Sequence, residues 1–312
     1  MSVAFLFPGQ GSQTLGMLSD FSQVYPIVGE VFSEASDALG YDLWAIVKDG
    51  PVEKLNETTV TQPAILTASV ALWRIWGQEG GAMPSVMAGH SLGEYSALLS
   101  AGAFSFTGAV SLVADRGKYM QEAVPPGEGA MAAILGLDND KVVAACAEAA
   151  NGEVVAAVNF NSPGQVVIAG QTDAVERAMQ ICKEAGAKRA LPLPVSVPSH
   201  CQLMEPAAHY LAERLQNIEI SRPSIRVLNN VDVSAEEEPA KIQEALIRQL
   251  CNPVRWVDII NKMSEEGVTV AIECGPGNVL SGLNKRINRK LDSYSIDSPE
   301  SMEKALKALQ EG

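Results

Sequence analysis

Ser91 lies in Gly89-His90-Ser91-Leu92-Gly93, a G-x-S-x-G pattern. In that pattern a serine is held on a tight turn between a strand and a helix, with its hydroxyl pushed outward as a nucleophile. The two glycines are required because side chains there would collide across the turn. The flanks fit. Val86-Met87-Ala88 forms a short apolar strand, and residues 92–101 put Leu92, Tyr95, Leu98 and Leu99 on one helical stripe. Gly and Ser also gather in ordinary turns, so the strand and helix around the pattern are what make it an elbow. A serine hydroxyl is a weak nucleophile until a base takes its proton. The usual base is histidine, whose unperturbed pKa is about 6.5. Three histidines are present. His90 adjoins Ser91 and must leave the turn in another direction. His209 falls inside a helical stretch. His200 follows Pro198 on a loop, where chains deliver reactive groups, so elimination favours His200. A third group should orient its imidazole. Asp232, Asp258 and Glu273 qualify by type only, and a backbone carbonyl could do the same work.

The elements that must carry these groups alternate between strand and helix. Val3 to Phe7 reads as a first strand, followed by the loop Pro8-Gly9-Gln10-Gly11-Ser12-Gln13. Dinucleotide binding would need a third glycine where Thr14 stands. Bare backbone N–H groups on such a loop suit an oxyanion instead. Helices are expected at 25–39, 62–78 and 106–122. After the linker Val124-Pro125-Pro126-Gly127-Glu128-Gly129, the order becomes strand, helix, strand, strand, helix, strand, with a turn at Asn161-Ser162-Pro163-Gly164. This βαββαβ order is the ferredoxin-like unit. The expected fold is therefore α/β: an α/β-hydrolase-like parallel sheet with helices on both faces, plus an inserted ferredoxin-like subdomain. The boundaries follow the linkers, with 1–124 and 198–312 in the large subdomain and 125–197 in the small one.

Composition narrows the function. The chain has 312 residues, 47% of them hydrophobic, enough for a sizeable core. No apolar run is long enough for a membrane span, and no basic region precedes the first apolar run as in a signal peptide. Five cysteines without a C-x-x-C pair read as reduced thiols of a cytoplasmic protein, and no metal site is expected. A net charge of −14 argues against nucleic acid as a partner.

Six motifs stand in order: Phe7-Pro8-Gly9-Gln10-Gly11-Ser12-Gln13, Gly89-His90-Ser91-Leu92-Gly93-Glu94, Arg116-Gly117, Asn159-Phe160-Asn161-Ser162-Pro163, Pro198-Ser199-His200 and Glu273-Cys274-Gly275-Pro276-Gly277. Together they resemble the bacterial malonyl-CoA:acyl carrier protein transacylases of type II fatty acid synthesis, over essentially the whole chain. The resemblance implies Ser91 as the acylated nucleophile and His200 as its base. It implies the main-chain carbonyl of Gln249 as the group holding that histidine, and the backbone N–H groups of Gln10 and Leu92 as the oxyanion hole. Arg116 would pair with the malonyl carboxylate, a task for which a fork-shaped, always-charged side chain is suited. Cys274, where the family has an apolar residue, reads as packing. The implied partners are malonyl-CoA, a substrate rather than a cofactor, and holo acyl carrier protein; no cofactor is needed and a monomer is expected. Acyl carrier protein is acidic, so docking needs a basic patch. Lys285, Arg286, Arg289 and Lys290 form the densest run, with Lys188 and Arg189 second. Three other readings share parts of this pattern: a serine esterase or thioesterase, the transacylase subunit of a malonate decarboxylase, and a non-catalytic scaffold. Cys201, beside His200, has no elbow of its own to make it a nucleophile.

Overall fold

The computed structural model describes residues 2–195 and 197–310; Met1, Ser196, Glu311 and Gly312 lie outside the described residues. The strands, in chain order, are β1 (Val3–Phe7), β2 (Val86–Gly89), β3 (Gly129–Leu135), β4 (Val155–Ser162), β5 (Gln165–Gln171), β6 (Arg189–Pro192), β7 (Arg226–Leu228), β8 (Val270–Glu273) and β9 (Asp292–Ser295). They form two sheets. The first has the order β7-β2-β1-β8-β9, and every neighbouring pair is parallel. Its central strands are apolar without alternation because both faces are covered by helices. Phe5, Phe7, Met87 and Ile272 face one core; Ala4, Leu6, Val86, Ala88 and Ala271 face the other. Phe5 is wedged edge-on between Trp73 and Trp76 of the helix Thr58–Gln78, with ring centroids 5.1 and 5.2 Å away.

The second sheet is antiparallel with the order β4-β5-β3-β6, the ferredoxin-like arrangement expected from the βαββαβ run. The helices Asn139–Ala149 and Thr172–Glu184 cover one face. The other face sets Met131, Val158, Val167 and Ala169 against Cys201, next to His200. Two backbone hydrogen bonds clamp β4 to the rest of the chain: Phe160 N–H donates to the Val254 carbonyl at 3.0 Å, and Val254 N–H to the Val158 carbonyl at 2.8 Å. The second sheet meets the loops at the C-terminal ends of β1 and β2, where a parallel sheet presents its site: Asn161 of β4 hydrogen-bonds His90, and Met131 and Asn159 line one cavity with Gln10 and Ser91.

Differences from the sequence reading are local. Three short helices, Ser19–Val24, Leu43–Asp49 and Val52–Leu55, flank the expected helix at 25–39 in segments where no element was expected. Each is too brief to display a 3.6-residue period. β4 continues through Asn161 and Ser162, where a turn was expected. Register shifts in its pairing with β5 break the alternation that would have marked the strand.

Candidate active site

In-register pairing of Phe7 with Gly89 brings the loop after β1 beside the turn after β2. The approach is tight: a Cβ on Gly9 would lie 2.4 Å from the His90 carbonyl oxygen. Within the elbow, a Cβ on Gly89 would sit 1.8 Å from the Gly93 carbonyl carbon, and one on Gly93 2.0 Å from the Phe7 oxygen. Only glycine fits at either position. Ser91 itself is pushed to φ 53°, a left-handed conformation that costs about 1–3 kcal/mol for a non-glycine residue. Two side chains hold it there. Asn230 Oδ1 accepts from Ser91 N–H at 2.7 Å, and Gln249 Nε2 donates to the Ser91 carbonyl at 3.1 Å.

The strained turn presents Ser91 Oγ to His200 Nε2 at 2.7 Å. The opposite ring nitrogen, Nδ1, lies 2.7 Å from the main-chain carbonyl oxygen of Gln249. A carbonyl can only accept, so Nδ1 carries the proton and Nε2 is left to accept from the serine. His200 is 3% exposed. Burial, and next the positive charge of Arg116, push its pKa down to about 3, so the imidazole is neutral near pH 7. The pair can therefore generate an alkoxide-like nucleophile. The carboxylates considered as orienting groups are engaged elsewhere. Asp232 pairs with Arg248, Asp258 with Arg255, and Glu273 accepts from the N–H groups of Leu280 and Ser281.

Arg116 reaches the same point from the helix Phe106–Glu122, which Ser105 caps by accepting from Gly108 N–H. Gly117 lets this helix approach Thr58 closely, since a Cβ there would be 2.7 Å from the Thr58 oxygen. The guanidinium is 1% exposed and stacks 5.2 Å from the Tyr95 ring centroid. Nη1 donates to Gln62 Oε1 at 2.8 Å; Nη2 donates to Gln249 Oε1 at 3.0 Å and faces Ser91 Oγ at 3.4 Å. Nε is buried and has no partner among the described residues. The residue nonetheless lines the cavity beside Ser91, with Nη2 facing the serine oxygen. Gln10 and Leu92 line the same cavity of about 200 Å³, and their backbone N–H groups have no hydrogen-bond acceptor among the described residues. The antiparallel sheet contributes Met131 and Asn159 to its wall.

Residues 4–304 match the family model described as acyl transferase domain. The chain belongs to the acyl transferase family. A malonyl CoA-acyl carrier protein transacylase of Salmonella typhimurium is 59% identical over 303 residues, 97% of this chain and 98% of that protein. Its counterpart in Bacillus subtilis is 47% identical over 310 residues, 99% and 98% of the two chains. Among solved structures, an acyl carrier protein S-malonyltransferase of Vibrio cholerae superposes with a TM-score of 0.96 at 59% identity, covering 98% of this chain and 100% of that one. A malonyl transacylase in complex with its type II PKS acyl carrier protein reaches 0.98 at 57% identity, over 99% and 100% of the chains. The six ordered motifs thus point to the same branch of the acyl transferases as these matches.

For an acyl transferase, the geometry brings Ser91, His200, Gln249, Gln10, Leu92 and Arg116 to one cavity. It leaves four predicted docking residues, Lys188, Arg189, Lys285 and Arg286, exposed and away from it. The two discarded histidines have other partners: His90 Nε2 meets Asn161 Oδ1 at 2.8 Å, and His209 is a surface residue beside Glu213. Cys201 is buried with its thiol on the Pro198 carbonyl, and burial raises it to about 11, so it is no thiolate. Cys274 is buried against the Ser69 carbonyl, as packing. Sequence reasoning missed Gln62, Glu94 and Asn230, which hold the reactive groups from below. Only Glu94 carried a signal, as a carboxylate directly after the elbow on an otherwise apolar stretch.

Proposed function

We propose that the chain transfers malonyl from malonyl-CoA to the phosphopantetheine thiol of holo acyl carrier protein, through a malonyl ester on Ser91. The single observation that carries the reading is Arg116: a buried guanidinium that lines the cavity and pairs with no carboxylate among the described residues, its Nη2 3.4 Å from the serine oxygen. A buried charge beside a nucleophile calls for an acyl group with its own carboxylate. His200 Nε2 takes the Ser91 proton as Oγ attacks the thioester carbon. The oxyanion is held by the N–H groups of Gln10 and Leu92. The intermediate collapses, the C–S bond breaks, and CoA leaves as a thiol with the proton from His200. The carrier thiol then attacks the malonyl ester, giving its proton to His200, which returns it to Ser91. One thioester is exchanged for another, so the reaction requires no redox cofactor and no metal. Initiation of fatty acid chain elongation follows from the product, a malonyl thioester on the carrier.

Carrier docking is assigned to the basic residues at one end of the antiparallel sheet. Gln165, Leu135 and Arg189 are cross-strand neighbours there, and Arg286 Nη1 donates to Gln165 Oε1 at 2.7 Å. Lys188 adjoins Arg189 and Lys285 adjoins Arg286, so two runs distant in sequence share one edge. None of the four forms a salt bridge among the described residues, in a chain of net charge −14. The span 125–197 is assigned as a subdomain of its own; one face of its sheet buries a cluster drawn only from residues 130–190. The monomer is the working unit, since every group in the scheme comes from one chain, and five unpaired cysteines suit the reducing cytoplasm.

Labelled malonyl-CoA incubated with the enzyme and holo carrier protein tests the reaction, with acetyl-CoA and methylmalonyl-CoA as controls. Label should move to the carrier from malonyl-CoA far faster than from acetyl-CoA. Free malonate released at the same rate without carrier would make the chain a thioesterase instead.

A further inference from the structure

One buried charge lies directly beneath the elbow and takes no part in the scheme above. Glu94 is 1% exposed, in the first turn of the helix Gly93–Ser100. A carboxylate this deep requires donors. Its Oε2 accepts from Gln249 Nε2 at 2.8 Å and from the backbone N–H of Asn230 at 2.8 Å. Burial outweighs these two donors and the charge of Arg116, which pull the other way, and leaves its pKa raised to about 7.

An acidic residue in a first helical turn ordinarily serves the helix itself, by facing its free N–H groups. Glu94 does something else: its two donors lie 136 and 155 residues further along the chain. Both are already at work in the site. Asn230 holds Ser91 N–H through Oδ1 and the Gly89 carbonyl through Nδ2 at 2.7 Å. Gln249 holds the Ser91 carbonyl with Nε2, Arg116 with Oε1, and His200 with its main-chain oxygen. A single carboxylate oxygen therefore sits where the restraints on serine, histidine and arginine meet.

We propose that Glu94 is a positioning residue that fixes, through Gln249 and Asn230, the serine turn, His200 and Arg116 as one unit. The inference rests on the malonyl-transfer reading of those three residues. Its consequence is a coupling. A residue serving the base alone would change rate; one serving Arg116 alone would change acyl preference. Glu94 controls both, because Gln249 joins His200 and Arg116 through different atoms of one residue.

The test is single-turnover formation of malonyl-serine and acetyl-serine, followed by mass spectrometry, for the wild type, Glu94→Ala, Glu94→Gln and Gln249→Ala. Thermal midpoints report folding. Glu94→Ala leaves two buried donors unanswered, and should slow malonyl-serine formation roughly 10- to 100-fold while lowering the malonyl-over-acetyl preference by about 5-fold or more. Glu94→Gln can set an amide oxygen where Oε2 now sits, and should recover most of both. If Glu94→Ala does not fold, Gln249→Ala decides, since it keeps the main-chain carbonyl: the preference must still drop. The proposal is overturned by an unchanged preference in Gln249→Ala. It is equally overturned by a rate loss in Glu94→Ala at constant preference, or by a folded Glu94→Gln no better than Glu94→Ala. A wild type that forms no malonyl-serine would overturn the assigned reaction, and this inference with it.

Discussion

Arg116 and Arg286 each donate an Nη1 hydrogen bond to a glutamine Oε1, Gln62 in one case and Gln165 in the other. Their surroundings separate them. Arg116 is buried among Tyr95, Gln249 and Ser91 at the end of the parallel sheet; Arg286 lies in water at the rim of the antiparallel one. Buried, a charge acts at low effective dielectric and leaves a large penalty when its partner is missing. Exposed, it is screened beyond about 8 Å at physiological salt. The parallel sheet thus supplies selection and chemistry through a few costly contacts. The antiparallel sheet supplies a wall of the cavity and a weak, adjustable handle for a partner.

The largest effect to expect from this contrast is at Arg116. Arg116→Ala should reduce kcat/KM for malonyl-CoA about 100-fold or more, the scale for losing one partner of a buried charge pair. Acetyl-CoA has no carboxylate to lose, so its relative turnover should rise. Equal losses for the two substrates would remove Arg116 from carboxylate recognition.

The same substitution has a pH signature. His200 acts as a base only when neutral, and burial and then the Arg116 charge hold its pKa far below the usual 6.5, at about 3. In Glu94→Gln, which has no carboxyl titrating near pH 7, kcat/KM for acylation should therefore stay flat as pH falls through 6.5, where an ordinary histidine would lose its base form. Removing Arg116 takes away a positive charge that disfavours the imidazolium, so the acid limb should move up in pH. A limb at 6.5 in Glu94→Gln, or a limb that adding Arg116→Ala to it leaves unmoved, would break the electrostatic link between the two residues.

The smallest effects belong to the rim. Lys285→Glu with Arg286→Glu should raise KM for carrier protein by about 5-fold, more at low salt, while KM for malonyl-CoA holds. A KM for carrier that does not respond would move docking to another face.

The buried and exposed regions also differ in how readily the chain spells them out. The elbow is local: strand, glycine, serine, glycine and helix follow one another, so its sequence pattern and its geometry coincide. The helix Phe106–Glu122 is equally plain, with Ser105 as its cap and an apolar stripe along its length. The contacts that organise the site are not local. Gln62 and Arg116 are 54 residues apart, Asn230 and Ser91 139, and nothing in either segment announces the other. The partner of His200 Nδ1 is a backbone carbonyl, a group every residue carries, so the residues alone left Asp232, Asp258 and Glu273 open and only family resemblance singled out Gln249. The three short helices before Thr58 were missed because they are stabilised by tertiary packing of single residues, such as Phe21, Leu43 and Leu55, rather than by periodicity.

The central claim is that a half-buried serine, a neutral histidine and a buried arginine form a malonyl ester on the protein. Mixing the enzyme with malonyl-CoA alone and weighing its peptides tests this most directly. The account predicts one added malonyl group on the peptide containing Ser91, lost on adding holo carrier protein and absent in Ser91→Ala. No added mass in the wild type, or an adduct that persists in Ser91→Ala, would contradict it.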